Sequence, residues 1–389
     1  MSLVHPTATS ARQDALHEDL LRQQFDTPCY VFDPETVGRN YRRLKDALGT
    51  RLIVSIKANP DLSLLVRCIH EFVDGIEFAS VAELSLGMGR TTAPKYANNP
   101  SMDSRFLRGA IAAKATIIVD GLDHAAQILA AKGGRRLEPL VLRLNSASLL
   151  RGCGERQRHA DHFGMDLQTA IDVGNMLVRA DCQIAGVHVF AGSFSFGDKH
   201  LKLLEVLPEA LKALQKGLNC PLSFVNLGGG FDADWESSGV DFEEYRRQVR
   251  AQLGDYVVAH ESGRAIFKQA GWFITRVAAM KKIDGTSYAV CDGGMSQNFL
   301  LCQTERFAKK LQAPALLPKG EASRRQSEAP IFIVGSSCSS NDVIGALPAG
   351  AMTPQVGDLL CFDGCGAYNN TYTPARFLSA DPARVFLRS

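Results

Sequence analysis

Lys57 has the sequence surroundings of a reactive amine. It follows the mainly apolar run Leu52–Ile56 and precedes Ala-Asn-Pro, so we expect its amine at the end of a buried strand. Most lysines are solvated surface charges, and this placement is what sets Lys57 apart. An amine partly removed from water loses its proton more readily and becomes a nucleophile toward a carbonyl group. The position of Lys57 therefore indicates covalent chemistry with a carbonyl compound.

Other polar groups also follow strand-like runs. His188 is followed by Gly192-Ser193, three glycines stand at 228–230, and Glu261 and Arg264 share the segment ESGR. Glycines let backbone N–H groups approach a phosphate, although they serve a tight turn equally well. Glu261 is either a surface carboxylate or a partner that keeps a pyridine nitrogen protonated. Arg264 pairs either with a phosphate or with a nearby acid.

A repeating pattern of elements would position these groups. From about residue 50, short β-branched runs alternate with segments of helical periodicity, which indicates parallel βαβ units. About eight such units predict a (β/α)₈ TIM barrel, whose reactive groups lie at the carboxyl ends of the strands. A doubly wound open sheet is the alternative, because periodicity does not show closure. The strand-like runs are Leu52–Lys57, Ile76–Ser80, Lys95–Asn98, Thr116–Asp120, Leu140–Asn145, Ile184–Phe190, Ser223–Gly228 and Tyr256–Glu261.

A second, mostly β domain is predicted after residue 270. Strand-like runs there are separated by turn-rich stretches: Trp272–Ala278, Tyr288–Cys291, Ile331–Val334 and Leu359–Phe362. The strand-like segment Thr27–Asp33 precedes the barrel, and we expect it to pair into this β domain. The domains are thus predicted as an N-terminal segment at 1–30, a barrel at 31–270 and a β-rich domain at 271–389. The polar stretch Pro318–Pro330 is predicted to be an exposed loop.

Composition excludes several classes of function. Basic and acidic residues number 43 and 41, so the net charge of +2 supports neither a nucleic-acid nor a membrane-surface partner. None of the ten cysteines forms a Cys-x-x-Cys pair, and we predict no metal site. The N-terminal residues carry Asp14, Glu18 and Asp19, unlike a signal peptide, and no run approaches a membrane span. We therefore expect a cytoplasmic protein.

Eight short motifs in order resemble the fold-type III pyridoxal-phosphate decarboxylases, the ornithine and diaminopimelate decarboxylases and their relatives, with alanine racemase more distant. The resemblance runs from about Thr27 to the C-terminus. Each motif is short, but the ordered set is specific. The motifs are SIKANP at 55–60, EFAS at 77–80, GVHVFAGS at 186–193, NLGGGF at 226–231, ESGR at 261–264, DGG at 292–294, GSSCSSND at 335–342 and GDLLCFDGCGAY at 357–368.

The resemblance implies pyridoxal 5'-phosphate as cofactor and a role for each matching residue. Lys57 is the implied Schiff-base lysine, Glu261 the partner of the pyridine nitrogen, and Cys338 the catalytic proton donor after carbon dioxide leaves. In the family that cysteine comes from the neighbouring subunit, so a homodimer with shared active sites is implied. Further cofactor contacts are implied for His188, Phe190, Ser193, Gly229, Gly230, Ser262, Gly263, Arg264 and Tyr368.

Three departures from the family pattern bear on the substrate. The second histidine of the family motif is Phe190 here, which can still stack on a ring. The acid that receives a distal ammonium is replaced by Ser339, followed by Ser340, and a hydroxyl does not offset the desolvation of an ammonium. The segment Met295–Phe299 lacks the arginine that would bind a distal carboxylate.

These departures predict an amino-acid substrate with a capped or conjugated distal end, facing Ser339 and Asn298. A citrate-linked diaminopropionate of siderophore biosynthesis is the favoured case. Carrier-bound glutamate is the alternative, followed by a free diamino acid. An amino-acid racemase, a non-enzymatic pyridoxal-phosphate carrier and a barrel unrelated to this cofactor are the competing functions.

Overall fold

The computed structural model describes residues 4–5, 26–151, 161–303, 311–320, 323–374 and 377–388. Residues 6–25 of the predicted N-terminal segment, and Glu321 and Ala322 of the predicted loop, lie outside the described residues. The chain divides into two compact units. One unit comprises Val37–Ile266, and the other joins Met1–Thr36 to Phe267–Ser389.

The strands are numbered along the chain. They are β1 Val4–His5, β2 Cys29–Phe32, β3 Arg51–Ser55, β4 Ile76–Phe78, β5 Lys95–Ala97, β6 Thr116–Val119, β7 Leu140–Leu144, β8 Ile184–Val189, β9 Phe224–Asn226, β10 Val257–Ser262, β11 Gly271–Ile283, β12 Thr286–Cys291, β13 Leu311–Gln312, β14 Ala315–Leu317, β15 Ile331–Val334, β16 Val343–Leu347, β17 Leu359–Phe362 and β18 Arg384–Leu387. The α-helices are Pro34–Leu48, Leu62–Cys68, Val81–Gly87, Ser104–Ala112, Leu122–Lys132, Ser146–Leu150, Leu167–Arg179, Asp198–Leu218, Phe242–Leu253, Arg264–Phe267 and Phe299–Cys302.

The unit Val37–Ile266 is a closed barrel. Its eight strands follow the order β10-β3-β4-β5-β6-β7-β8-β9, and every neighbouring pair is parallel. The prediction of a (β/α)₈ barrel is confirmed, and the open doubly wound sheet is wrong. Each of the eight strand-like runs contains or overlaps one barrel strand. The strands of a parallel barrel are buried on both faces, so their sequences are continuous apolar runs that can be recognised between the helices.

Short side chains fix where the barrel helices begin. Asp61, Asp103 and Asp166 each accept a hydrogen bond from the backbone N–H three residues later. Ser80 and Asn145 do the same for their helices. Such N-caps satisfy donors that the first helical turn leaves free, and the connections from strand to helix are held by them.

The barrel interior changes character along its axis. One layer is an apolar cluster contributed by six strands: Ile53, Tyr96, Ile118, Val141, Phe224 and Ala259. Beyond this layer, near the carboxyl ends of the strands, buried polar side chains take over: Glu77, Arg143, His188, Asn226 and Glu261. Because polar groups are buried only at a cost, this end of the barrel is the candidate site of chemistry.

The other unit is built on an eight-stranded sheet. The order β14-β17-β11-β12-β15-β16 forms its path, and β2 pairs with both β11 and β18. Cys29–Phe32 lies antiparallel to Gly271–Ile274, so the predicted pairing of the N-terminal strand into the β domain is confirmed. Its apolar core includes Cys29, Val31, Trp272, Ile274, Leu317 and Cys361.

The stretch Pro318–Pro330 is not simply an exposed loop. The Arg324 side chain is 5% exposed and forms an ion pair with the buried Asp358. Asp358 also accepts the backbone N–H groups of Lys319 at 2.9 Å and Gln355 at 2.7 Å. Burial acts to raise the pKa of Asp358, but the Arg324 and backbone hydrogen bonds lower it overall. The prediction of an exposed loop is wrong at Arg324, because its side chain is buried in an ion pair with Asp358.

Among the described residues, no helix combines the length and the apolarity needed to cross a lipid bilayer.

Candidate active site

Lys57 is held by a carboxylate from the neighbouring strand. The residue lies in a short 3₁₀ turn, Ile56–Ala58, directly after β3, so the strand ends two residues earlier than predicted. Its side chain is 41% exposed, and its Nζ lies 2.9 Å from Oε1 of the fully buried Glu77. Ser55 donates a hydrogen bond to the same carboxylate. The buried Glu77 carboxylate thus orients the amine, which remains accessible to solvent.

Glu261 is the second buried carboxylate at this end of the barrel. It accepts a hydrogen bond of 2.8 Å from the Asn226 amide, and His188 Nε2 lies 3.4 Å from its Oε1. Burial acts to raise the pKa of Glu261, but His188, Lys57 and Asn226 outweigh burial and hold it below the ordinary value. Glu261 is therefore a fixed negative charge at neutral pH.

The glycine segment 228–230 packs against the loop that follows β8. Asn226 Oδ1 accepts the N–H of Gly228 at 2.9 Å. The same side chain therefore contacts both the glycine segment and Glu261. A Cβ at Gly230 would lie 2.7 Å from Ser195 Oγ and 2.8 Å from the Gly192 carbonyl oxygen. With φ at +108°, Gly230 also occupies a conformation that side chains disfavour. Only glycine therefore fits at position 230.

Arg264 and the segment before it complete the barrel end. The Arg264 guanidinium lies 4.5 Å from the centroid of the exposed Phe194 ring, within the range of a cation–π contact. Ser262 is buried. A Cβ on Gly263 would lie 2.6 Å from Ala58 and 2.8 Å from the Ser55 carbonyl oxygen, so this segment packs directly on the Lys57 turn.

Two further predicted cofactor residues lie on the loop after β8. Phe190 is half-buried and follows the last residue of that strand. Ser193 is exposed, next to Phe194. His188 itself is buried, and its Nδ1 has no hydrogen-bond partner within the part of the chain that the structure describes.

Two polar groups of this end were missed by sequence reasoning. Glu77 and Asn226 both stand inside motifs quoted above, EFAS and NLGGGF, and a carboxylate or an amide beside a strand end was the available signal. Their roles depend on a neighbouring strand, which a single motif does not show.

A buried ion pair between neighbouring strands was also missed. Arg143 of β7 lies 3.0 Å from the Asp120 carboxylate that follows β6, with both side chains at most 10% exposed. The guanidinium also lies 4.3 Å from the centroid of the Phe163 ring. A charged residue inside the apolar run Leu140–Asn145 was the signal for it.

A buried aromatic and histidine cluster lies behind the loop after β8. The ring centroids of Phe196 and His200 are 5.0 Å apart, and those of Phe196 and Phe231 are 4.1 Å apart. Burial lowers the pKa of His200 to about 4 and that of His260 well below its usual value. Both histidines are therefore neutral at physiological pH.

The remaining predicted residues belong to the β unit. Cys338 is exposed, in the loop between β15 and β16, and Ser339 accepts the N–H of Asn341 at 3.2 Å. Tyr368 is half-buried with φ at +68°. Asn298 is fully buried, and its amide is engaged by Asn369 at 2.9 Å and Cys365 at 3.5 Å. The Asn298 side chain is therefore occupied by partners within its own unit.

The barrel end suits a phosphate-bearing pyridine aldehyde. It offers an accessible amine, an ionised buried carboxylate, a glycine turn without side chains and a guanidinium on neighbouring segments. An amine binds an aldehyde, a carboxylate holds a pyridinium, and bare backbone with a guanidinium holds a phosphate. Fold and site together define a barrel enzyme of pyridoxal-phosphate chemistry.

The sequence profile of the pyridoxal-dependent decarboxylases, pyridoxal binding domain, matches residues 35–276. The chain belongs to this family. It is a pyridoxal-phosphate-dependent amino-acid decarboxylase, which decides against the racemase, the non-enzymatic carrier and the unrelated barrel.

Curated relatives cover nearly the whole chain at low identity. The L-glutamyl-[BtrI acyl-carrier protein] decarboxylase of Niallia circulans is 24% identical over 387 residues, covering 92% of this chain and 88% of the relative. A diaminopimelate decarboxylase of Deinococcus radiodurans is 27% identical over 371 residues, covering 93% and 90%. The 2-[(L-alanin-3-ylcarbamoyl)methyl]-2-hydroxybutanedioate decarboxylase of Staphylococcus aureus is 24% identical over 386 residues, covering 93% and 94%.

Solved structures share the fold. The diaminopimelate decarboxylase from Helicobacter pylori complexed with L-lysine superposes with a TM-score of 0.78 at 19% identity, covering 96% of this chain and 94% of that one. At this identity the likeness concerns the architecture, the barrel with its β domain.

Proposed function

We propose that this decarboxylase acts on an amino acid whose distal end is capped or conjugated, with a citrate amide of diaminopropionate, a siderophore precursor, as the favoured substrate. One observation carries the proposal. The segment 335–342 around Cys338 contains a single carboxylate, Asp342, and it is 3% exposed. Its oxygens accept the backbone N–H groups of Met295 and Ser337. The Cys338 loop thus offers no carboxylate for a free distal ammonium.

The neutral character extends to the position after the cysteine. Ser339 is a hydroxyl already engaged with the Asn341 N–H, and Ser340 follows it. The segment Met295–Phe299 contains no arginine for a distal carboxylate. Uncharged donors and acceptors suit an amide or hydroxyl group on the substrate better than a free ion.

Two relatives support a conjugated substrate. The name of the Staphylococcus aureus enzyme describes an alanin-3-yl group joined through an amide to a citrate skeleton. The name of the Niallia circulans enzyme describes a glutamyl group on an acyl carrier protein. Because the latter match is equally extensive, carrier-bound glutamate is the second candidate.

We assign the barrel residues by their geometry. Lys57, oriented by Glu77, would hold the cofactor covalently. Glu261 would face the pyridine nitrogen. Arg264 and the glycine segment 228–230 would bind the phosphate. Pyridoxal phosphate, when bound, supplies an electron sink for the bond to the departing carboxylate. Glu261 would supply a fixed negative charge at the ring nitrogen, held by the hydrogen bond from Asn226 and by the nearby His188. Phe190 would provide an apolar face for the ring.

Cys338 is assigned as the proton donor to the former carboxylate-bearing carbon. In the proposed homodimer it serves the site of the neighbouring subunit. Its exposure on the isolated chain agrees with this role, because a donor to a second subunit must stand at the surface. Exchange of Cys338 for alanine should reduce kcat by about a hundredfold or more while the cofactor absorbance stays.

The substrate proposal is tested by carbon dioxide release from purified holoenzyme. The panel comprises the citrate amide of L-2,3-diaminopropionate, glutamyl-loaded acyl carrier protein, and free ornithine, lysine and diaminopimelate. Nβ-acetyl-diaminopropionate is the matched control, since it is capped but lacks citrate. We expect kcat/KM for a conjugate to exceed that for the free diamino acids by about a hundredfold. Brisk turnover of ornithine or lysine would refute the proposal.

A further inference from the structure

The loop that carries Cys338 is joined to a second loop by one buried carboxylate. Asp342 Oδ1 accepts the N–H of Met295 at 2.7 Å, and Oδ2 accepts the N–H of Ser337 at 3.1 Å. Met295 follows the DGG segment at 292–294, whereas Ser337 immediately precedes Cys338. A single side chain thus links segments 42 residues apart, counted from Met295 to Ser337.

The backbone of the Cys338 loop closes on the same residue. The Gly335 N–H donates to the Asp342 carbonyl oxygen at 2.9 Å, and the Asp342 N–H donates to the Ser339 carbonyl oxygen at 3.1 Å. Cys338 therefore lies in a turn whose two ends both meet at Asp342. The thiol itself is exposed and takes no part in these contacts.

Two glycines leave room for the carboxylate. A Cβ at Gly294 or at Gly335 would collide with the Asp342 oxygens, and each would also lie 2.5 Å from the Cα of the other glycine. Neither glycine has a positive φ, so backbone conformation does not require glycine at these positions. Close approach of the two loops around the carboxylate is thus the physical reason for glycine at both positions.

Cys302 makes a third contact with the carboxylate. Burial and the nearby Asp342 raise the pKa of the Cys302 thiol to about 12, so the thiol keeps its proton. Its Sγ lies 3.8 Å from Asp342 Oδ1 and acts as a weak donor. The carboxylate is surrounded by donors of its own unit.

We propose that Asp342 is a positioning residue that holds the Cys338 turn against the DGG segment and so places the thiol for proton return. This inference rests on the proposed role of Cys338 as proton donor. Displacing an aligned donor by a fraction of an ångström slows a proton transfer without altering how the rest of the site binds its ligand. The expected signature is a loss in kcat with little change in KM.

The first test is exchange of Asp342→Asn in the holoenzyme. An amide presents one oxygen and one NH₂ group, so one of the two backbone donors must lose its acceptor. Hydrogen exchange should accelerate by about tenfold in one of two peptides, 293–299 or 335–341, whichever contains the backbone N–H left without an acceptor. On a substrate found to be turned over, kcat should fall by about tenfold or more with KM within about twofold.

Gly335→Ala is the second variant, because its added methyl displaces the carboxylate without removing its charge. Asp358→Asn is the matched control: Asp358 is also buried in the β unit and also accepts two backbone N–H groups. The control should lower the melting temperature while the exchange of 293–299 and 335–341 and the kcat both stay at the wild-type values.

The outcomes separate the two proposals. Full turnover by Cys338→Ser would refute the role of the cysteine whatever Asp342 does. An inactive Cys338→Ser beside an Asp342→Asn variant with wild-type exchange and kcat would refute the positioning role alone. Insolubility of both Asp342→Asn and Gly335→Ala, with a soluble Asp358→Asn, would make Asp342 a folding residue and also overturn the inference.

Discussion

The barrel end and the Cys338 loop use different physical means to place their reactive groups. At the barrel end, Lys57 is oriented by a buried charge, Glu77, on a hydrogen-bonded neighbouring strand. In the β unit, Cys338 lies on an exposed turn whose own residues are neutral apart from Asp342. One group is held by partners of its side chain, the other by contacts of its backbone.

This difference has a consequence for what each region tolerates. Buried charges at strand ends depend on every partner, because removing one leaves the other charge unpaired in a poorly solvated place. A surface turn accepts other side chains as long as its backbone contacts persist. We therefore expect the barrel end to be intolerant of substitution and the Cys338 loop to carry the differences in substrate.

The largest effect is expected from Lys57→Ala. Loss of the amine would remove the proposed covalent attachment of the cofactor, so turnover should fall by at least about a thousandfold. The absorbance band of the lysine-bound cofactor should disappear in the same variant. Lys212→Ala is the control, since Lys212 is exposed and forms an ion pair with the also exposed Glu209. A Lys57→Ala protein with the wild-type spectrum and turnover would contradict the proposed role of Lys57, and with it the contrast between the two regions.

Glu261→Gln should have the next largest effect. The amide has the size of the carboxylate but no charge. The ring nitrogen of the cofactor would therefore lose its proposed charged partner, and kcat should fall by about a hundredfold. The Lys57-linked absorbance should remain, because Lys57 is oriented by Glu77. Steady-state kinetics with a spectrum of each variant provide the check, with the exposed Glu209→Gln as control. Unchanged kcat would show that the buried charge is structural.

Burial of His200 and His260 predicts that the stability of the folded chain falls in acid. The pKa of His200 is about 4 in the folded chain against 6.5 for the free group, so the unfolded chain binds its proton first. Its contribution is complete above pH 6.5 and is lost as the pH falls toward 4, at about 1.4 kcal/mol per pH unit. His200→Phe should therefore flatten the pH dependence of the unfolding free energy.

Urea unfolding at pH 7, 6 and 5 measures this slope. Burial, and to a smaller extent His200, lowers the pKa of His260. The part due to burial persists in the His200→Phe variant and prevents complete flattening. His162→Phe serves as the control outside this cluster. An identical slope in the wild type and in His200→Phe would contradict the assignment of the acid sensitivity to His200.

Ser339→Asp tests the role of the Cys338 loop in substrate choice, and its expected effect is the smallest of the series. A carboxylate next to Cys338 would attract a free distal ammonium, so kcat/KM for ornithine or lysine should rise by about three- to tenfold. Activity toward the capped substrate should fall, and the cofactor spectrum should not change. Ser340→Asp tests whether the exact position matters. A lost cofactor spectrum in Ser339→Asp would show that the loop is not independent of cofactor binding.

Much of the fold followed from local patterns. The eight barrel strands and the pairing of the N-terminal strand were predicted, since apolar runs and turn residues report burial directly. The exposed loop at 318–330 was predicted wrongly at Arg324, because the buried Asp358 that recruits it lies 34 residues away. Patterns along the chain do not report such partners.

The chemistry-bearing residue types were settled by the sequence alone: an amine after a buried strand, a glycine turn, a carboxylate and a guanidinium in ESGR, and a cysteine in a neutral loop. The tertiary structure decided their partners. Glu77 meets Lys57, Asn226 meets Glu261, and Asp342 meets Met295 because parallel strand register and loop packing bring distant positions together. The physical reason is that a side chain's type is local, whereas its orientation and charge state depend on neighbours that only the closed fold supplies.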